Sequence, residues 1–224
     1  MPTDTKHMIQ QCAHNGTLVY YMDQSDTAPL AEPGPWGAIQ DGYCAGLTVR
    51  WIRLTYAGRD FVSGNSNWGG VAMQYFNGTD WQATVYQNKL NTYVGATDTT
   101  RPVRTQYALG LAQMMLGDIQ EGSESAPANG ARLTRVISKS YGNYYTSLGG
   151  PDGNHAIAFR HARPASGKGP GEFHIFDPNY GHFMWNAPAS AWPTIIDWYL
   201  LTTDYKKDFP SAYFITRATP PVNY

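Results

Sequence analysis

Charge and cysteine are both scarce. Charged residues make up 15% of the 224-residue chain and nearly cancel, leaving a formal net charge of −1, so nothing offers the basic footprint that a nucleic-acid backbone or an anionic membrane surface requires. Two cysteines, Cys12 and Cys44, are too few for a disulfide framework or a cysteine-rich zinc site. Nowhere do about eighteen apolar residues follow one another, and the opening MPTDTKHMIQQC has no apolar core behind basic residues, so neither a membrane span nor a classical signal peptide is expected. Pro2 stands where myristoylation needs glycine, and the closing PVNY offers no cysteine to prenylate. Phosphate-cradling glycine loops are absent, and four glutamates leave little for a paired-carboxylate glycosidase. No cofactor and no bound metal is expected, and the chain reads as a soluble monomer.

Aromatic residues are abundant instead, at 14% within a hydrophobic total of 42%, and a chain of this length buries a core without covalent staples. Residues 1–37 are polar and broken by Pro and Gly, with GTLVYYM as a candidate short strand, and read as an N-terminal arm. Residues 38–224 read as one folding unit. In CAGLTVRWIRLTYAG, Leu47, Trp51 and Leu54 recur at helical spacing and Gly58 supplies a stop, which predicts a buried helix starting at Cys44. Residues 63–122 read as two or more further helices, one of them through TQYALGLAQMMLGDIQEG with Leu109, Met114 and Ile119 on one face. Beyond GSESAPANG the segments LTRVISK, YYTSLG, HAIAFRHA, EFHIFDP and HFMWN predict an antiparallel sheet. A last helix over about 190–203, with Trp192, Ile195, Ile196 and Tyr199 on one face, precedes a closing strand in YFITRA. Helices first and strands after predict an α+β fold with function between a helical lobe and a sheet.

A cysteine attacks as its thiolate, and a helix N-terminus favours that anion with unpaired N–H groups and the positive end of its dipole. Cys44 starts a helix between Gly42 and Gly46, glycines read as letting the backbone turn tightly and leaving the sulfur approachable. Cys12, in MIQQCAHNG, has neither feature and reads as a buried structural thiol. A thiol also needs a base, and the base needs a group that fixes its tautomer. His155 opens a strand in GNHAIAF and Asp177 closes the next in HIFDPNYG, so a hairpin centred on Ser166 sets them side by side. The same Asp-Pro-Asn-Tyr-Gly is also a good turn. His174 points to the opposite face of its strand, His161 lies toward the hairpin tip, and both rank with His182 below His155 as base. A zinc site from these histidines has no spacing signature. Trp51, Trp185 and Trp192 read as core.

GYCAGLTVRW, NHAIAF and FDPNYG, in that order, resemble the three catalytic blocks of the YopT and AvrPphB type of papain-like cysteine proteases, effectors of bacterial pathogens. The resemblance implies a helical lobe packed on a C-terminal antiparallel sheet, with Cys44 as nucleophile, His155 as general base and Asp177 as the orienting acid. The helical middle carries no signature of the family. The twenty-two residues from His155 to Asp177 exceed the family's usual spacing, the excess falling in PASGKGPG. Papain-like enzymes bind their oxyanion with the cysteine N–H and an upstream side-chain amide. Gln40, four residues before Cys44, is the candidate amide, with a loop hydrogen bond as its alternative use. The implied activity is thiol-dependent hydrolysis of a peptide bond in a host protein, by an effector exported without a classical signal peptide. A Gln deamidase or transglutaminase using the same residues, and a catalytically silent binding module, stand as alternatives.

Overall fold

Alternating apolar residues in the C-terminal half build most of a sheet, and the helices before and between those strands cover its two faces. The computed structural model describes residues 3–24, 43–61, 64–68, 71–76, 80–96, 100–151, 153–164 and 167–221. Among them the first half runs α1 (Thr3–His14), β1 (Leu18–Met22), α2 (Cys44–Tyr56), β2 (Gly64–Trp68), β3 (Val71–Phe76), α3 (Trp81–Ala96), α4 (Arg101–Leu111) and β4 (Leu116–Ser123). The second half runs α5 (Gly130–Ile137), β5 (Gly142–Gly150), β6 (Gly153–Ala162), β7 (Glu172–Asp177), β8 (Gly181–Asn186), α6 (Trp192–Thr202), α7 (Tyr205–Asp208) and β9 (Ala212–Ala218). The α+β class read from the sequence holds. Seven strands, in the order β1-β8-β7-β6-β5-β9-β4, are antiparallel, and the β2–β3 hairpin extends them through a parallel pairing of β3 with β1.

Side chains alternate across a strand, so the sheet separates two cores. Tyr145, Ala156, Ala158 and Phe176 pack with α2, α3 and α4 on one side. Tyr144, Ile157, Phe159, Ile175 and Phe183 pack with α1, α5 and α6 on the other. Cys44 does begin a helix, and α2 is buried along almost its whole length, leaving Arg50 and Arg53 as its polar side. Trp51 is core, stacked flat on Phe176 at 5.1 Å and 4°.

Four expectations need correction. The first part of the supposed arm over residues 1–37 is built into the body: α1 buries Met8, Ile9 and Cys12, and β1 fills the place between β3 and β8. LTRVISK lies mostly in helix α5, because Leu133, Val136 and Ile137 sit at helical spacing against the core and Asn129 caps the start by accepting from the Arg132 N–H at 2.9 Å. The helix drawn through TQYALGLAQMMLGDIQEG stops at Leu111, where Gln113 takes the left-handed conformation (φ 62°), and Ile119 belongs to strand β4. Gly64–Trp68 and Val71–Phe76 form the paired strands β2 and β3 and not a helix. The last helix and the closing strand lie where the spacing places them, at α6 and β9.

Gly46 has a different role from the one its position suggested. It lies inside α2, and a Cβ there would stand 2.2 Å from the Ala83 carbonyl oxygen, so its bareness allows α3 to close on α2. That approach lets the Gly46 N–H donate to Gln87 Oε1 at 2.9 Å. Gly46→Ala is expected to lower stability by about 1–3 kcal/mol through overpacking, although alanine is the better helix former. A chemical-denaturation midpoint unchanged from wild type rejects this close packing.

Candidate active site

Strand β7 ends in a turn that organises the acid. The Tyr180 N–H donates to the Asp177 carbonyl at 3.1 Å and the Asn179 N–H to Asp177 Oδ1 at 2.9 Å. Turn residue and functional carboxylate are therefore one residue. In the β6–β7 ladder Ala158 opposes Phe176 and Phe159 opposes Ile175, a register centred one residue later than Ser166. The shift moves each partner by two positions and so keeps His155 and Asp177 on one face. His155 Nε2 lies 3.0 Å from Asp177 Oδ1.

Both groups are out of solvent, His155 at 4% exposure and Asp177 at 0%. A buried carboxylate is tolerated only when its oxygens are engaged. Oδ1 accepts from His155 and the Asn179 N–H, and Oδ2 accepts from the Tyr199 hydroxyl at 2.8 Å. The imidazole is fixed from a second side by α7. Asp204 adopts the left-handed conformation (φ 62°) between α6 and α7, which aspartate tolerates better than most residues. Tyr205 follows it, and its hydroxyl sits 3.0 Å from His155 Nε2 while accepting from Asn179 Nδ2 at 2.9 Å. The Phe209 ring lies nearly parallel to the imidazole, 5.8 Å away.

With Nε2 committed to Asp177 and Tyr205, Nδ1 is the nitrogen left for Cys44, which lines the same cleft as His155. Burial disfavours the imidazolium, but the Asp177 charge and hydrogen bond, with Cys44 adding to both, outweigh it and push the His155 pKa up to about 10. For Tyr205 and Tyr199, burial first and then the Asp177 charge hold the phenols well above their usual range, so both stay protonated. The sulfur is placed by α2, and Thr48, one turn beyond Cys44, donates to the carbonyl of Ala156 at 2.9 Å. That bond ties the helix carrying the thiol to the residue after His155. Cys44 and His155 open on a cleft of about 170 Å³ between α3, α4 and the sheet.

The other candidates lie elsewhere. Cys12 is buried in the second core, and burial pushes its thiol up, a hydrogen bond from Thr17 offsetting part of the rise. His174 and His182 stand on the α2 side of the sheet, joined Nδ1 to Nε2 at 2.9 Å, with His182 Nδ1 on Asp60 Oδ2 at 2.8 Å. Burial, with His182 and Arg160 close by, pushes His174 down to about 2. Glu172 Oε2 is 3.4 Å from His174 Nε2, yet that nitrogen makes no hydrogen bond, so the pair is proximity and not a bond. His161 holds the Ile137 carbonyl at 3.3 Å and packs on Trp192. Gln40, the candidate oxyanion donor, and Gly42 lie outside the described residues.

The chain is similar in fold to the Pseudomonas avirulence protein AvrPphB. The crystal structure of that protein is matched at 17% identity and a TM-score of 0.54, over 88% of this chain and 100% of AvrPphB. The papain-like α+β architecture is thereby shown. No family model matches the chain, and neither does any curated protein. Sequence reasoning missed Tyr199, Tyr205 and Asn179. Tyr199 was visible only as part of an apolar helical stripe and Asn179 only as a turn residue, while nothing in DYKKD announces a tyrosine aimed at the base.

The raised His155 value sets a pH dependence. Lying above the ordinary 6.5, it gives a stability contribution complete below about 6.5 and lost as pH climbs through about 10. The same protonation change should place the alkaline limb of thiol reactivity well above 6.5, and Asp177→Asn, which removes the charge, should move it down. Rates of Cys44 alkylation against pH check this. A wild-type limb near 6.5, or one unmoved in Asp177→Asn, contradicts the arrangement.

Proposed function

We propose that this chain is a cysteine protease, hydrolysing a peptide bond of a protein substrate through a thioester. The observation that carries the reading is an imidazole held by a buried carboxylate and lining one cleft with a thiol at the head of a helix. The similarity in fold to AvrPphB, an avirulence protein by name, supports a role as an effector acting on a host protein. Export and delivery into another cell belong to the same proposal. Among the described residues no helix is long and apolar enough to cross a membrane.

In the proposed reaction His155, protonated at Nδ1 and held by Asp177, stabilises the Cys44 thiolate beside it. Sulfur attacks the scissile carbonyl carbon, and the oxyanion is received by the Cys44 N–H at the helix N-terminus. As the C–N bond breaks, the imidazolium gives its proton to the departing amine, leaving a thioester and neutral His155. Water then adds to the thioester, losing its proton to His155. Collapse expels the thiolate and frees the acid, which restores the starting pair. Asp177 remains ionised throughout.

An electrophilic epoxide inhibitor of papain-like enzymes tests the reading. In the folded protein at pH 6 it should add once, at Cys44, and His155→Ala should slow the addition by about a hundredfold or more. Addition to Cys12 ahead of Cys44, or an unchanged rate in His155→Ala, sinks the proposal.

A further inference from the structure

The end of the β5–β6 hairpin that carries His155 has almost no side chains to hold it. Its last two rungs pair Gly149 with Asn154 and Gly150 with Gly153, so Asn154 supplies the one side chain on them. Glycine in a strand leaves the backbone loose and marks a place where another group comes close. Such an approach is made on each face of the hairpin end. On the face shared with Leu148, a Cβ at Gly150 would overlap the Asp208 carbonyl oxygen, and nearby the Ser211 N–H donates to the Gly149 carbonyl at 3.1 Å. On the cleft face, a Cβ at Gly149 would overlap the Arg101 guanidinium. Arg101 Nη1 donates to Asn154 Oδ1, and its Nε donates to Glu124 Oε2 at 3.1 Å. The Arg101 side chain is 16% exposed, so this grip is largely shielded from competing water.

From this geometry we infer that Arg101 is a positioning residue for His155, acting through Asn154 to set where the start of β6 stands against the helix that bears Cys44. The inference rests on the protease reading above. A planar guanidinium that binds two partners through separate nitrogens fixes direction as well as distance. Arg101 opens α4, whose Thr105, Ala108 and Leu109 are buried, and Ala108 and Leu109 share one core with Cys44 and Ala156. His155 is thereby bracketed along its strand: Thr48 ties the residue after it to α2, and Arg101 ties the residue before it to α4. Tyr205 and Phe209 hold the imidazole itself, while Arg101 holds the backbone from which it projects. A displacement of about 1 Å between reacting groups can cost about a hundredfold in rate, so a loose glycine end at this place would matter.

Alkylation of Cys44 by iodoacetamide, followed by peptide mass spectrometry at pH 6 and pH 9.5, tests this. At pH 6 the thiolate depends on a well-placed His155, whereas at pH 9.5 an ordinary thiol is ionised without help. Arg101→Gln should lower the pH 6 rate about tenfold or more and leave the pH 9.5 rate within about twofold of wild type. Asn154→Ala keeps the arginine and its pair with Glu124, and should lower the pH 6 rate by a similar factor. The double variant should lose no more than either single one, because the two residues act as one contact. If Arg101→Gln does not fold, Asn154→Ala decides alone. A wild-type pH 6 rate in either folded variant overturns the positioning role, and so does an equal loss at both pH values, the mark of a merely loosened fold. A double variant that loses the product of the two single losses overturns the route through Asn154. Wild-type Cys44 reacting at pH 6 no faster than in His155→Ala overturns the protease reading and this inference with it.

Discussion

Everything around the proposed site answers to one constraint, a carboxylate held entirely out of water. Asp177 has no exposed surface, and an isolated buried charge is among the costliest things a fold can contain. Each of its hydrogen-bond donors comes from a different segment: His155 from β6, the Asn179 N–H from the turn, and the Tyr199 hydroxyl from α6. Satisfying the acid therefore fixes three elements against one another. Asn179 extends the demand, since its side chain reaches the Tyr205 hydroxyl on α7, and that hydroxyl closes on His155.

The thiol reaches this group from the other side of the sheet. By strand parity His155 and Asp177 belong with Ile157, Phe159 and Ile175 on the face covered by α6, while Cys44 heads a helix on the opposite face. They meet because His155 lies near the start of β6 and Asp177 at the end of β7, beyond the Ala158–Phe176 pair that ends the β6–β7 ladder, although β5 still pairs His155 and β8 still pairs Asp177. Positioning across such a border depends on the helix being fixed to the strand, which the Thr48 to Ala156 hydrogen bond and the Gly46 contact with α3 provide.

How much of this was legible depended on whether a signal was local. The α2 helix, the β6–β7 hairpin, α6 and β9 could be read because apolar period and turn chemistry agreed there. LTRVISK misled because a short run with β-branched residues suits a strand as well as a helix, and the Asn129 cap that decides it precedes the run. Residues 3–22 looked like an arm because α1 buries only a narrow stripe, Thr5, Met8, Ile9 and Cys12, among polar neighbours. Among the site residues, Cys44, His155 and Asp177 stand out by chemistry at element ends. Tyr205 was illegible, since its approach to His155 follows from a left-handed turn at Asp204 and from packing that no period encodes.

The sheet holds a second histidine–aspartate pair, and comparing the two shows what separates support from a capacity for chemistry. His182 and Asp60 are 2.8 Å apart, no looser than His155 and Asp177 at 3.0 Å, and Asp60 also accepts from the Tyr20 hydroxyl. The hydrogen bond and charge of His182 help to hold the Asp60 carboxyl below its usual range against the opposing effect of burial. By carboxylate geometry alone the pairs are alike. What differs is the far nitrogen. His182 Nε2 is spent on His174 Nδ1 at 2.9 Å, and Trp51 and Tyr20 pack edge-on against its ring. Both nitrogens of His182 are engaged, and the unbonded His174 Nε2 is buried, so the second pair holds β7, β8 and the Asp60 segment together while its histidine has no nitrogen to lend to a reacting atom. His155 keeps one nitrogen for the thiol and the cleft, and a base needs that opening as much as it needs a carboxylate behind it.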